Sequence, residues 1–332
     1  MRYDLHTHFL PEGWEDWGAK YTGNRWPRFE RCDACSANIM VGERLFRHVT
    51  DQCWSAERRI EDMDRLGIDV QVISPVPVML CYWAEPEAAQ AFARLQNEYC
   101  AGIVAAHPDR FRGMATVPLQ DPPRAIAELR RAVETLGLRA VEIGTFPGGR
   151  DLDSPELFPF FEACVDLDVS VFVHPAGAVV GQDRMGDYYL PNIVGNPLET
   201  AMAITRFILG GVAERLPGLR ICWSHGGGAF AFVLGRLTHG WDIRDEASAN
   251  APHAPVEYAK RFFYDSITHS PDNLHFLIDK VGPGQVVIGS DFPFGMGEKD
   301  PVGFLDSCDL TPQVREGIEH HNALRFLGDT PA

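Results

Sequence analysis

The sequence predicts an α/β barrel of eight parallel strands, and three observations carry that expectation. Eight short apolar runs rich in β-branched residues recur along the 332 residues, with helix-patterned segments between them, which is the signature of βα units. The first, fifth, sixth and eighth runs finish in histidine or aspartate, at the strand end where barrels assemble their active sites. The two stretches that break the alternation, residues 9 to 54 and 176 to 196, leave from such strand ends, and long loops in enzymes are more often functional than idle.

In chain order the runs are Tyr3 to His6, Val70 to Ser74, Gly113 to Val117, Ala140 to Gly144, Ser170 to His174, Leu219 to His225, Phe262 to Ser266 and Val286 to Asp291. Eight is the number that closes a barrel with a filled interior. Between them, Ser55 to Leu66 carries an apolar stripe at helical spacing, and Glu85 to His107 reads as a longer helix opened by Pro86. Pro123 to Leu136, Ser154 to Leu167, Pro197 to Leu216, Ala229 to His239 and Pro271 to Val281 continue the pattern. Ser154, followed by Pro155 and Glu156, is the clearest start signal, because its hydroxyl can accept from an orphan backbone N–H while proline suits the first turn. No repeat, low-complexity tract or linker interrupts the chain, so residues 1–332 are expected to form one domain, with residues 9–54 inserted after the first strand.

A net charge of -16 and an isoelectric point near 5.1 argue against a nucleic-acid partner. The same field repels an anionic substrate, which would need arginines placed at the site. No apolar stretch approaches the roughly 18 residues that span a bilayer, and Met1 runs almost at once into the first strand, leaving no room for a signal peptide. A cytoplasmic protein without a membrane partner is expected. The eight cysteines are scattered and suggest no disulfide framework in that compartment. Cys32-Asp33-Ala34-Cys35 resembles half of a zinc knuckle, but no second pair completes it, so both read as ordinary thiols.

The chemistry concentrates at the strand ends. In Asp4-Leu5-His6-Thr7-His8 the two imidazoles stand two residues apart, and in an extended segment they share a face. Strand five ends in Val173-His174-Pro175, strand six in Ser224-His225-Gly226-Gly227-Gly228 and strand eight in Gly289-Ser290-Asp291. Any one of these histidines alone reads as structural; four imidazoles and a carboxylate at matching positions do not. Three histidines and one aspartate make a donor set typical of zinc, with water completing the shell. The glycines after His225 either let the backbone approach a substrate closely or make a tight strand-to-helix turn.

The order of these groups resembles the amidohydrolase superfamily, whose barrels carry His-x-His on strand one, histidines on strands five and six, and aspartate on strand eight. Many hydrolytic members also carry a strand-four lysine, carbamylated to bridge two metals; here that run is Ala140-Val141-Glu142-Ile143-Gly144, so one metal per chain is implied. The resemblance tightens to the decarboxylase branch through Phe46-Arg47, Cys53-Trp54, Pro75-Val76-Pro77-Val78-Met79, Phe172-Val173-His174-Pro175, Ser224-His225-Gly226-Gly227-Gly228-Ala229-Phe230 and Gly289-Ser290-Asp291-Phe292-Pro293-Phe294.

That resemblance implies the site roles. His6, His8, His174 and Asp291 would hold zinc, or alternatively manganese, with a water, and His225 would serve as acid/base, with Asp291 also in the catalytic set. Arg47 and Arg236 would grip substrate carboxylates, the second from the partner subunit of a homodimer. Without the resemblance either arginine reads as a solvated surface charge. The implied activity is a non-oxidative decarboxylation of a small unsaturated or aromatic carboxylate, with no organic cofactor. The alternative within the fold is a hydrolase of an amide, lactone or carbon-carbon bond; outside it stands a metal-binding scaffold without catalysis. One departure is Ala176-Gly177, where the branch has tryptophan after the His-Pro of strand five. The remaining histidines, at 48, 107, 239, 253, 269, 275, 320 and 321, read as surface or packing residues.

Overall fold

A computed structural model describes residues 1–21, 23, 25–176 and 180–329. The strands are β1 (Tyr3–Phe9), β2 (Pro27–Arg31), β3 (Ser36–Val41), β4 (Arg44–Thr50), β5 (Val70–Pro75), β6 (Phe111–Ala115), β7 (Ala140–Gly144), β8 (Ser170–His174), β9 (Ile221–Trp223), β10 (Phe263–Asp265) and β11 (Val286–Val287). The apolar runs pair side by side in the order β1-β5-β6-β7-β8-β9-β10-β11, each pair parallel. The two outer strands then meet: the Leu5 N–H donates to the Ile288 carbonyl at 2.8 Å and the His8 N–H to the Phe292 carbonyl at 2.7 Å. The expected eight-stranded α/β barrel is therefore present.

Alternation along each strand sorts the side chains. Val141 and Ile143 of β7 pack outward against the helices, with Phe160, Phe161, Phe207 and Trp223 in one large cluster. Ala140 belongs instead to a second cluster with Leu5, Val72, Met114 and Phe172, which the C-terminal helix Asn322–Leu327 joins through Phe326 and Leu327. Apolar side chains thus fill part of the interior. The polar groups His6, Ser74, Glu142 and Asp265 are also fully buried.

Residues 9–54 build their own antiparallel sheet, β2-β3-β4, after β1. Its Trp17, Trp26, Ile39 and Val49 pack with Trp54, Val76, Met79 and Phe92, so the insertion is fastened to the chain that follows β5 by buried aromatic surface. Cys32 and Cys35 are exposed in the turn between β2 and β3, and all eight cysteines are free thiols.

Several boundaries differ from the sequence expectation, and the differences have causes. The run Leu219 to His225 is a strand only over Ile221–Trp223, and Val286 to Asp291 only over Val286–Val287 with isolated bridges at Ile288 and Phe292; His225 and Asp291 themselves take left-handed φ values of 54° and 57°, outside the extended region. Ser154 does not cap a helix. The helix there is Phe158–Asp166, with Pro159 in its first turn, while Ser154 closes an isolated turn through its carbonyl to the Leu157 N–H at 3.0 Å. The segment Pro197 to Leu216 divides into Asn196–Leu209 and Val212–Arg215 at Gly210-Gly211, where Gly211 has φ 79°. Among the described residues, no helix is long and apolar enough to cross a membrane.

Candidate active site

Three strand ends and the loop after β11 deliver five donor groups to one point. His6, His174, His225 and Asp291 each offer a ligand atom, all within 4.8 Å of one another. His8 joins them: its Nε2 lies 3.1 Å from His6 Nε2 and 3.1 Å from Asp291 Oδ1. His225 Nε2 stands 3.8 Å from the other oxygen, Asp291 Oδ2. All five residues expected from the sequence are therefore together, with His225 in among the groups expected as ligands.

Three of the four imidazoles are held from behind. His6 Nδ1 is 2.7 Å from Asp265 Oδ2, His8 Nδ1 is 3.1 Å from the Pro75 carbonyl, and His174 Nδ1 is 2.9 Å from the Pro175 carbonyl. Acceptors at Nδ1 place the proton there and leave the Nε2 lone pairs facing the cluster. The Nε2 of His174 is buried with no hydrogen-bond partner, an orphan that a cation would satisfy. Burial, then the neighbouring His225, His8 and His6, push the His174 imidazole well below its ordinary range, and burial lowers His6 despite Asp265. For Asp291, burial alone raises the carboxyl, but His225, His8 and His6 overcome it and hold it well below the usual carboxylate range. Neutral imidazoles around an ionised carboxylate are the protonation states a divalent cation requires, so the donor set fits one.

His225 differs from the others. Burial lowers its basicity, yet the Asp291 and Asp265 carboxylates more than offset this and raise it above the ordinary histidine range. Its side chain is 21% exposed against 0% for His6 and 1% for His8. Of the five groups only His225 and Asp291 line the adjacent cavity, about 530 Å³, a size suited to a small ligand. The glycines that follow serve the turn: Gly228, at φ 60°, would place a Cβ 2.3 Å from the Pro197 carbonyl oxygen. Gly226 and Gly228 also line the cavity, so both sequence readings of this stretch hold.

The two arginines stand apart from this cluster. Arg47, on β4, lies with its guanidinium carbon 4.5 Å from the centre of the Phe294 ring, which is itself 5.8 Å from the His8 ring. The insertion thus brings Arg47 to the rim of the site. Arg236 sits on the helix Phe230–Ile243, exposed, one turn beyond Phe232, a cavity-lining ring that is 83% exposed. Within one chain Arg236 does not line the cavity. Ala176 ends the described part of that segment, and Gly177 lies outside the described residues.

Four positions that line or back the site escape the sequence reading. His269, expected at the surface or in packing, lines the cavity with a left-handed φ of 54°. Asp265 backs His6. Arg59 is fully buried and donates to the His8 carbonyl at 2.6 Å, Thr7 Oγ1 at 3.0 Å, Gln71 Oε1 at 3.0 Å and the Gln52 carbonyl at 3.1 Å; burial pulls it down to about 10. Glu142, in the strand-four position without lysine, is fully buried, and burial pushes its carboxyl up to about 7 against the opposing influence of His8 and the Ser74 hydroxyl. Asp265 alone had a signal, an acid at the end of an apolar run.

A strand-end cluster of histidines and one aspartate on an eight-stranded barrel defines a class, and comparison confirms it: the chain belongs to the amidohydrolase family, whose model matches residues 3–328. Among named relatives, the 2-amino-3-carboxymuconate-6-semialdehyde decarboxylase of Dictyostelium discoideum is 40% identical over all of this chain and 92% of its own. The enzyme of the same name from Caenorhabditis elegans is 30% identical over 98% of this chain and 94% of its own. Of solved structures, 5-carboxyvanillate decarboxylase from Sphingomonas paucimobilis superposes with a TM-score of 0.83 at 25% identity, covering 98% of each chain.

Proposed function

We propose that this protein is a metal-dependent, non-oxidative decarboxylase of a small unsaturated or aromatic carboxylate, with 2-amino-3-carboxymuconate 6-semialdehyde as the leading substrate. The observation that carries the reading is the split within the cluster: His6, His8 and His174 are buried, whereas His225 faces the cavity beside Asp291. Full-length similarity to two enzymes that bear the substrate's name supports its choice.

In this reading His6, His8, His174 and Asp291 hold one divalent ion, zinc by the nature of the donors, with manganese the alternative. When bound, the ion supplies positive charge to stabilise anionic character that develops on the substrate, and it lowers the pKa of water in its shell. The chain's own residues do the rest. Arg47 pairs with a substrate carboxylate through its planar fork, and Arg236 of the partner in a cytoplasmic homodimer pairs with a second. His225, the imidazole that faces the cavity beside Asp291, delivers a proton to the carbon that bears the reacting carboxylate. That carbon becomes tetrahedral. The carbon-carbon bond then breaks, its electron pair returns to the conjugated system, and carbon dioxide leaves.

The test is carbon dioxide release against a panel of unsaturated and aromatic carboxylates, with elemental analysis of the purified protein. Stoichiometric carbon dioxide from the semialdehyde, with about one divalent metal per chain, is the expected result. Cleavage of an amide, lactone or carbon-carbon bond by water, with no carbon dioxide, would assign the site to hydrolysis instead.

A further inference from the structure

One carboxylate sits behind both halves of the proposed site. Asp265 ends β10, is fully buried, and accepts four N–H groups: His6 Nδ1 at 2.7 Å and the His225 backbone at 2.8 Å on Oδ2, and the Gly226 backbone at 2.8 Å and the Ile267 backbone at 3.0 Å on Oδ1. Two carboxylate oxygens offer about four lone-pair positions, so its capacity is filled, and every partner is a donor. Two consequences follow from the bonding pattern. His6 must carry its proton on Nδ1, which leaves Nε2 as a lone pair directed at the cluster. The backbone of His225 and Gly226, at left-handed φ values of 54° and 60°, is pinned by its N–H groups in a conformation that costs energy for a non-glycine residue.

The bond to Ile267, two residues on, is an ordinary aspartate turn and by itself would mark Asp265 as a local cap. The three other bonds leave its own strand: two go to the backbone just after the neighbouring strand β9, and one goes past β11 to His6 on β1. We propose that Asp265 is the positioning residue of this site, setting the tautomer of the ligand His6 and the placement of the acid/base His225 with the same carboxylate. The inference rests on the proposed division of roles, and it ties the metal-binding and proton-transfer halves to one group.

Asp265→Asn tests it, because an amide offers one acceptor where the carboxylate offers two. If the remaining oxygen serves Gly226 and Ile267, the new NH₂ faces His6 Nδ1, which must then accept and move its proton to Nε2, the nitrogen required by a metal. In metal-free protein, imidazole nitrogen NMR, with His6 assigned by loss of its signals in His6→Gln, is expected to show Nδ1–H in the wild type and Nε2–H in Asp265→Asn. Zinc affinity, measured by competition with a chelator, is expected to fall by about 10- to 100-fold or more in the variant. A folded Asp265→Asn that binds zinc within about twofold of wild type would overturn the proposal, since losing the partner behind a metal-binding histidine costs more than that. So would a wild-type His6 protonated on Nε2, a result that stands even if the variant fails to fold. Neither readout uses a substrate, so an absence of carbon dioxide release would sink the decarboxylase reading while leaving this one to its own evidence.

Discussion

The floor of the site and its rim are built in opposite ways. On the floor, His6, His8 and His174 are buried and backed by hydrogen bonds, and Asp291, at the cavity edge, is held ionised by the histidines around it. On the rim, Arg47 rests on Phe294 from an inserted sheet, and Arg236 is exposed on a helix surface near the uncovered ring of Phe232. Groups that bind a metal must be preorganised to sub-ångström precision, which strand ends supply, while groups that grip a substrate can come from later additions or from another chain. The contrast predicts that floor substitutions destroy the centre and rim substitutions weaken capture.

The largest expected effect lies on the floor. His174→Ala or Asp291→Ala should lose the ion on dialysis and all activity with it, as one of four protein ligands is removed; elemental analysis checks this, and full retention in both variants would erase the distinction between floor and rim. His225→Ala comes next. It should keep the metal yet lose on the order of 10² to 10⁴ in rate, the usual contribution of a positioned acid/base. If the ion departs with His225, that residue belongs to the floor.

These assignments were legible in the sequence to different depths, for physical reasons. His6 and His8 announce themselves because a strand has period two, and the other strand ends were readable because apolar runs stop where the site begins. The stops themselves were misplaced by a few residues at strands six and eight, and the left-handed φ at His225 and Asp291 leaves no mark in composition. Arg47 and Arg236 were visible only through resemblance, for a surface arginine carries no local pattern. Arg59 and Glu142 were invisible: whether a charged residue is buried depends on what the rest of the barrel places around it. Ser154 shows the reverse error, a strong capping pattern overridden by the actual start at Phe158.

On the rim, Arg47→Ala should weaken substrate capture by about one to two orders of magnitude, the equivalent of roughly 1.5 to 3 kcal/mol for a charge-assisted pair, with metal content unchanged. The reading of kcat/KM beside metal content separates this from damage to the floor. The smallest effect is a stability effect beneath the metal. Glu142 keeps its proton to about pH 7 in the folded chain but releases it near 4.5 when unfolded, so its contribution to stability falls as pH rises through that window. In metal-free protein, Glu142→Gln should therefore stabilise by an amount that grows from pH 4.5 to 7, at most about 3 kcal/mol. Denaturation at several pH values measures it; a pH-independent difference would mean that Glu142 is paired in solution.

The proposed contrast, a floor made by one chain and a rim completed by two, is tested most directly by mixing His225→Ala with Arg236→Ala, each strongly impaired on its own, at substrate concentrations well below saturation. In each heterodimer one pocket would receive His225 from its own chain and Arg236 from the partner, so random mixing should restore about a quarter of wild-type activity per site. No recovery in confirmed heterodimers, with each homodimer folded and metal-loaded, would place Arg236 in its own pocket or leave it on the surface.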